Sequence, residues 1–138
     1  MTSISDMPGE KLADLLMRGA SGIFLYEAAV LLLRRHGLWL EHPGFRRFIV
    51  VEPDGQKASV DLKAAMPALD SGSLTADTGD WLTDDEAAKI LRIVASLSGT
   101  YPVLLREVVE GIDRENIKYV AEAIMYADGF LSSQADPR

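Results

Sequence analysis

The sequence predicts a mostly helical α+β domain, with about six helices around one antiparallel β-hairpin. Three observations predict it. Apolar residues recur at three- and four-residue spacing in several blocks bounded by helix start and stop signals. A Pro-Asp-Gly turn sits between two short β-rich runs, FRRFIVVE and KASVDL. No second pair of strands is signalled, and no repeat or linker divides the 138 residues, so one domain spans 1–138.

The first helix starts at Met7-Pro8-Gly9-Glu10 and runs to about Arg18. GASG at 19–22 interrupts it, and Ser21 is the expected N-cap of the next. Residues 22–36 are apolar almost all round, which predicts a central helix with little wet surface. Arg34, Arg35 and His36 complement its negative end, and Gly37 is a left-handed stop. His42-Pro43-Gly44 reads as a turn.

Strands are expected near 45–52 and 57–62. A three-residue Pro-Asp-Gly loop would set Glu52 against Gln56, Val50 against Ala58, Phe48 against Val60 and Arg47 against Asp61. That register turns Phe48, Val50, Ala58, Val60 and Leu62 inward. It leaves Ile49 and Val51 outward as apolar surface wanting cover.

A short helix from Asp61 to about Leu69 follows, limited by Pro67. Residues 70–82 read as a loop rich in Gly, Ser, Thr and Asp. Thr83-Asp84-Asp85-Glu86 has the form of a capping box, opening a helix to about Leu97. Pro102 is expected in the first turn of a helix carrying Val103 to Val109. Asp113 caps the last helix, with Ile112 and Ile117 as a hydrophobic staple and Ile117, Val120, Ile124 and Met125 facing inward. Gly129 stops it, and 131–138 is expected to be a disordered tail.

Charge narrows the function classes. Net charge is −7 and the pI about 4.7. Residues 1–69 carry eight acids and eight bases, and residues 70–138 thirteen acids and six bases. Such a chain repels a phosphate backbone, which argues against a nucleic-acid partner. There is no cysteine, hence no disulfide framework, thiolate metal site or thiol nucleophile. The most apolar run, residues 22–33, contains Glu27 and is short of the ~20 residues a membrane span needs. A soluble, cytoplasmic protein without a membrane partner is the expectation.

The chemical motifs are sparse. His36 and His42 are spaced HxxxxEH with Gly37 between them, so no helical face aligns them on a metal. Asp70-Ser71-Gly72 and Asp77-Thr78-Gly79 spell D-[ST]-G, as paired carboxylates of aspartic proteases do, but the tripeptide is also ordinary turn chemistry. Asp77, Asp80, Asp84, Asp85 and Glu86 cluster, yet Gly79 and Trp81 occupy positions where a calcium loop needs oxygens. No phosphate-binding glycine loop or nucleophile elbow is present. No metal, cofactor or catalytic residue is assigned.

Residues 80–130 resemble small uncharacterised actinobacterial proteins. The likeness rests on Leu91-Arg92, Ala95-Ser96-Leu97, Leu105-Arg106-Glu107, Gly111-Ile112-Asp113, Asn116 and Ala123 to Phe130. It implies a bacterial origin and brings no activity with it.

Two function classes remain. The first is a non-enzymatic interaction, regulatory or accessory protein acting as a homodimer, with Ile49 and Val51 in the interface together with the little-wetted central helix at 22–36. The alternative is a small-molecule-binding or catalytic domain built on Trp39, Glu41, His42 and Arg46, which requires those side chains to converge on a pocket.

Overall fold

A computed structural model describes residues 4–75 and 81–129, and of residues 81–84 the backbone alone. The tripeptide at 77–79, the acids Asp77 and Asp80 and the tail 131–138 lie outside the described residues, as does the side chain of Asp84.

The fold is mostly helical α+β, as expected. After a 3-10 turn at Ile4–Asp6 come α1 (Gly9–Ala20), α2 (Phe24–His36), α3 (Leu38–Glu41) and α4 (Pro43–Arg46). The hairpin β1 (Ile49–Val51) and β2 (Ala58–Val60) follows. Then come α5 (Leu62–Asp70), α6 (Trp81–Leu97), α7 (Leu105–Val109) and α8 (Arg114–Ala127).

The long helix α2 is the central post. It buries Ala28, Ala29, Val30, Leu32 and Leu33, and packs against α1, α3, α6 and α8. Its end matches expectation: Gly37 takes φ 83° and donates its N–H to the Leu33 carbonyl at 2.9 Å. Its start does not. The helix begins at Phe24, and Ser21 belongs to the end of α1, donating its N–H to Arg18. The Glu27 carboxylate reaches back to the Gly22 N–H instead.

The hairpin register is displaced by one residue. Ile49 pairs with Val60, Val50 with Ser59 and Val51 with Ala58. The cause lies in the turn. Gly55, at φ 73°, donates to the Glu52 carbonyl, while the Asp54 carboxylate accepts the Gln56 N–H at 2.9 Å. Gln56 therefore stays in the loop, and Glu52 donates across to Lys57. A slip of one residue exchanges the faces of a strand. Ile49 is 6% exposed, Val51 half-buried and Val50 57% exposed. The apolar surface expected outside at Ile49 and Val51 thus lies against the chain's own core. The Arg47–Asp61 pair is not made across strands either: Arg47 donates to the Gly44 carbonyl, and Asp61 caps α5 through the Ala64 N–H.

Other boundaries shift for local reasons. Residues 43–46 form one helical turn, so Phe45 and Arg46 are helical rather than the start of a strand, because Pro43 occupies its first position and His42 caps it. Helix α5 keeps its expected bounds, with Asp61 as its cap and its end at Asp70. Helix α6 starts at Trp81, ahead of Thr83, so the expected cap at Thr83 is not the start of this helix. Glu86 binds α8 instead, accepting the Asp113 N–H and an Asn116 side-chain N–H. Helix α7 is confined to Leu105–Val109, with Leu104 and Leu105 exposed. Asp113 caps α8 as expected, accepting the Asn116 N–H at 2.8 Å. Ile124 and Met125 are exposed rather than inward.

Helix α1 meets β2 through Gly19. A Cβ at this position would overlap the Ala58 carbonyl oxygen. A helical Gly→Ala change ordinarily stabilises by roughly 0.5–1 kcal/mol. Gly19→Ala is expected to reverse that sign and cost about 1–3 kcal/mol, because backbone must move to admit the methyl. Urea titration of the two proteins measures it, and a stabilised variant would show that α1 and β2 do not approach this closely.

Candidate functional site

The four residues expected to carry chemistry lie on the knee formed by α3 and α4. Gly37 turns the chain out of α2, and extended His42 (φ −86°, ψ 117°) separates the two short helices. This bend brings the rings of Trp39, His42 and Phe45 together, while the Arg46 guanidinium turns to Leu40 and the N-terminal turn.

Trp39, His42 and Arg46 are each held by a different structural partner, and Glu41 is exposed. Trp39 is 0% exposed, and its indole N–H donates to the Ala87 carbonyl of α6 at 2.9 Å. Its ring lies 5.3 Å from that of His42 and 5.7 Å from that of Phe45, centroid to centroid. His42 Nδ1 accepts the Phe45 N–H at 3.2 Å. That bond places the proton of a neutral imidazole on Nε2.

Arg46 is 6% exposed. Its Nε donates to the Leu40 carbonyl at 2.7 Å, and its Nη1 to the carbonyls of Ile4 at 2.9 Å and Ser5 at 3.2 Å. Nη2 stands 3.8 Å from the exposed Glu41 carboxylate. A guanidinium so engaged is a clasp between the N-terminal turn and the knee. It does not face solvent as an anion anchor would. Among the described residues, no group of three or more His, Asp or Glu side chains could hold a metal ion.

A second polar cluster joins the end of α2 to α6 and α8. His36 is half-buried there, and its Nδ1 is buried without a hydrogen-bond partner. Burial lowers its pKa below the ordinary 6.5, and the charges of Glu86 and Asp113 offset part of that shift. The unfolded chain therefore binds a proton at His36 more readily than the folded one. The stability involved is fully present above pH 6.5, falls as pH drops below it, and reaches its lower plateau beneath the folded pKa. Urea midpoints measured from pH 7.5 down to 5 should decline in the native chain and decline less in His36→Gln. Parallel declines would remove His36 as the cause.

Sequence reasoning missed one feature and left a second unlocated. Glu86 carries a signature that suits a helix cap, and nothing local announces a partner on α8. The other is a run of exposed apolar side chains at the start of α2: Ile23, Phe24, Leu25 and Tyr26, each 44–50% exposed. Its signal was present, since Ala28 to Leu33 already supply a core face and leave these four in surplus. The ring of Phe24 stands edge-on to Tyr126 of α8, with centroids 6.2 Å apart. Ile124 and Met125 of α8 are exposed as well.

Among the described residues no helix is long and apolar enough to cross a membrane. No protein-family profile, curated protein or solved structure matches this chain.

Proposed function

We propose that this chain is a non-enzymatic interaction protein of the bacterial cytoplasm, regulatory or accessory in role, that works as a homodimer through the start of α2. The observation that carries this is the exposed run Ile23-Phe24-Leu25-Tyr26. Four consecutive large apolar side chains at a helix start are costly to leave in water. The Phe24–Tyr126 contact fixes this corner of the molecule against the end of α8.

A second copy is the partner that fits. These four side chains carry no charge, whereas the chain as a whole carries −7. A strongly basic partner would match the net charge but leave the apolar run uncovered. Another copy of the chain presents the same apolar run, and a two-fold axis sets one against the other.

Light scattering at micromolar concentration should return about twice the 15.1 kDa chain mass. Leu25→Glu, which places a charge in the contact at a solvent-exposed position, should return the single-chain mass with the fold intact. A native protein that stays monomeric throughout this range would sink the proposal.

A further inference from the structure

Beside this run, a cleft enters the molecule between α1, α2, β2 and the end of α6. Its volume is about 230 Å³. Ala20, Ala29, Leu33, Ala58 and Val94 form its floor, each less than a tenth exposed. Three of those five are alanine, and their short side chains leave the hollow unfilled. Close approach of α1 to β2 at Gly19 shuts one side.

The geometry points to a binding site for a small, uncharged, largely apolar molecule carrying one hydroxyl or similar polar group. Three features set that chemistry. Volume sets the size: a dry apolar cavity of about 150 Å³ holds a benzene ring, so this one takes a substituted or fused ring. It is too small for a helix or a peptide strand. The lining sets the charge. No residue lining the cleft is ionised at neutral pH, so a carboxylate or ammonium would lose its hydration without gaining a partner.

The rim sets the polar end. Tyr26, Ser59 and Thr100 carry hydroxyls there, and none of the three donates to or accepts from another described residue through its side chain. Ser98, also in the lining, differs: its Oγ is already hydrogen-bonded to the carbonyls of Val94 and Ala95 at 3.1 Å each. The ligand thus meets open hydroxyls at the mouth and hydrocarbon within. The residues expected from sequence to form a small-molecule site play no part, since Trp39, Glu41, His42 and Arg46 do not line this cleft.

The test uses p-cresol as the neutral probe and p-toluate as its charged counterpart. Each is titrated into the 15N-labelled full chain and into Leu25→Glu, and amide shifts are followed by NMR. p-Cresol should saturate with a Kd of about 0.1–1 mM, as suits a ligand of this size. Its shifts should centre on Ala29, Ala58, Val94 and Thr100, and p-toluate should bind at least tenfold more weakly. Ala29→Leu, which fills the floor, should weaken p-cresol at least tenfold. Thr100→Trp, which narrows the mouth at a less buried position, gives the same readout should the floor variant fail to fold. Three results would overturn the proposal: shifts that do not saturate by about 10 mM, equal binding of the two probes, or p-cresol binding in Leu25→Glu alone. The last would show that a second copy of the chain covers the cleft.

Discussion

Trp39→Ala is expected to destabilise the protein by about 3–5 kcal/mol. The indole has no solvent contact, and it stands where α3 meets α6. Truncation leaves a void between Phe45, His42 and α6 that a four-residue helix held by Gly37 cannot easily close. The lost hydrogen bond is a smaller part of the effect. Ala87 lies within α6, and its carbonyl can keep a helical partner when the indole leaves. Trp39→Phe should therefore recover most of the loss. Urea denaturation of the three proteins, with stabilities near 5–15 kcal/mol typical of such a domain, resolves these differences. A cost below about 1 kcal/mol for the alanine variant would show that Trp39 does not anchor the knee.

Arg46→Met should cost about 2–4 kcal/mol. Methionine keeps much of the stem volume, so the change removes mainly the guanidinium. The buried Leu40 carbonyl and the partly buried carbonyls of Ile4 and Ser5 then lose a charged donor, with the largest cost at Leu40. Glu41, exposed and 3.8 Å away, contributes little to the difference. Arg46→Lys keeps the charge but not the planar fork, and a single ammonium nitrogen cannot stand at both the Nε and the Nη1 positions. It should fall between the native chain and Arg46→Met. Limited proteolysis adds an independent readout, because the first residues lose their tie and should be cut sooner. A residue serving as an anion anchor would behave otherwise: its loss would leave stability and the proteolytic pattern unchanged.

These two residues show where the sequence was legible and where it was not. Helix ends were legible when the chemistry was local. Gly37 follows two arginines and a histidine, and Asp113 sits three residues before the N–H that it binds. The hairpin was legible as an element but not in its register. One side-chain bond, Asp54 to the Gln56 N–H, moves the pairing by a residue, and turn sequences do not reveal which acceptor wins. Trp39 and Arg46 were legible as unusual but not in their roles. Leu40 apart, the carbonyls they bind lie 48, 42 and 41 residues away, and a backbone carbonyl has no sequence signature. Glu86 misled for the opposite reason, since its local motif was complete while its real partners belong to α8.

The position of α2 has a consequence for motion. A helix wedged among α1, α3, α6 and α8 cannot swing out while its neighbours stay docked. Its release requires the whole core to open, so fluctuations of α2 and loss of the fold are one event. Smaller and more frequent excursions are left to peripheral pieces such as α7, five residues long with one buried side chain, Val108. The exposed start of α2 is therefore a rigid fixture. A partner that lands on it meets a surface already in its bound shape, and little ordering entropy opposes the encounter.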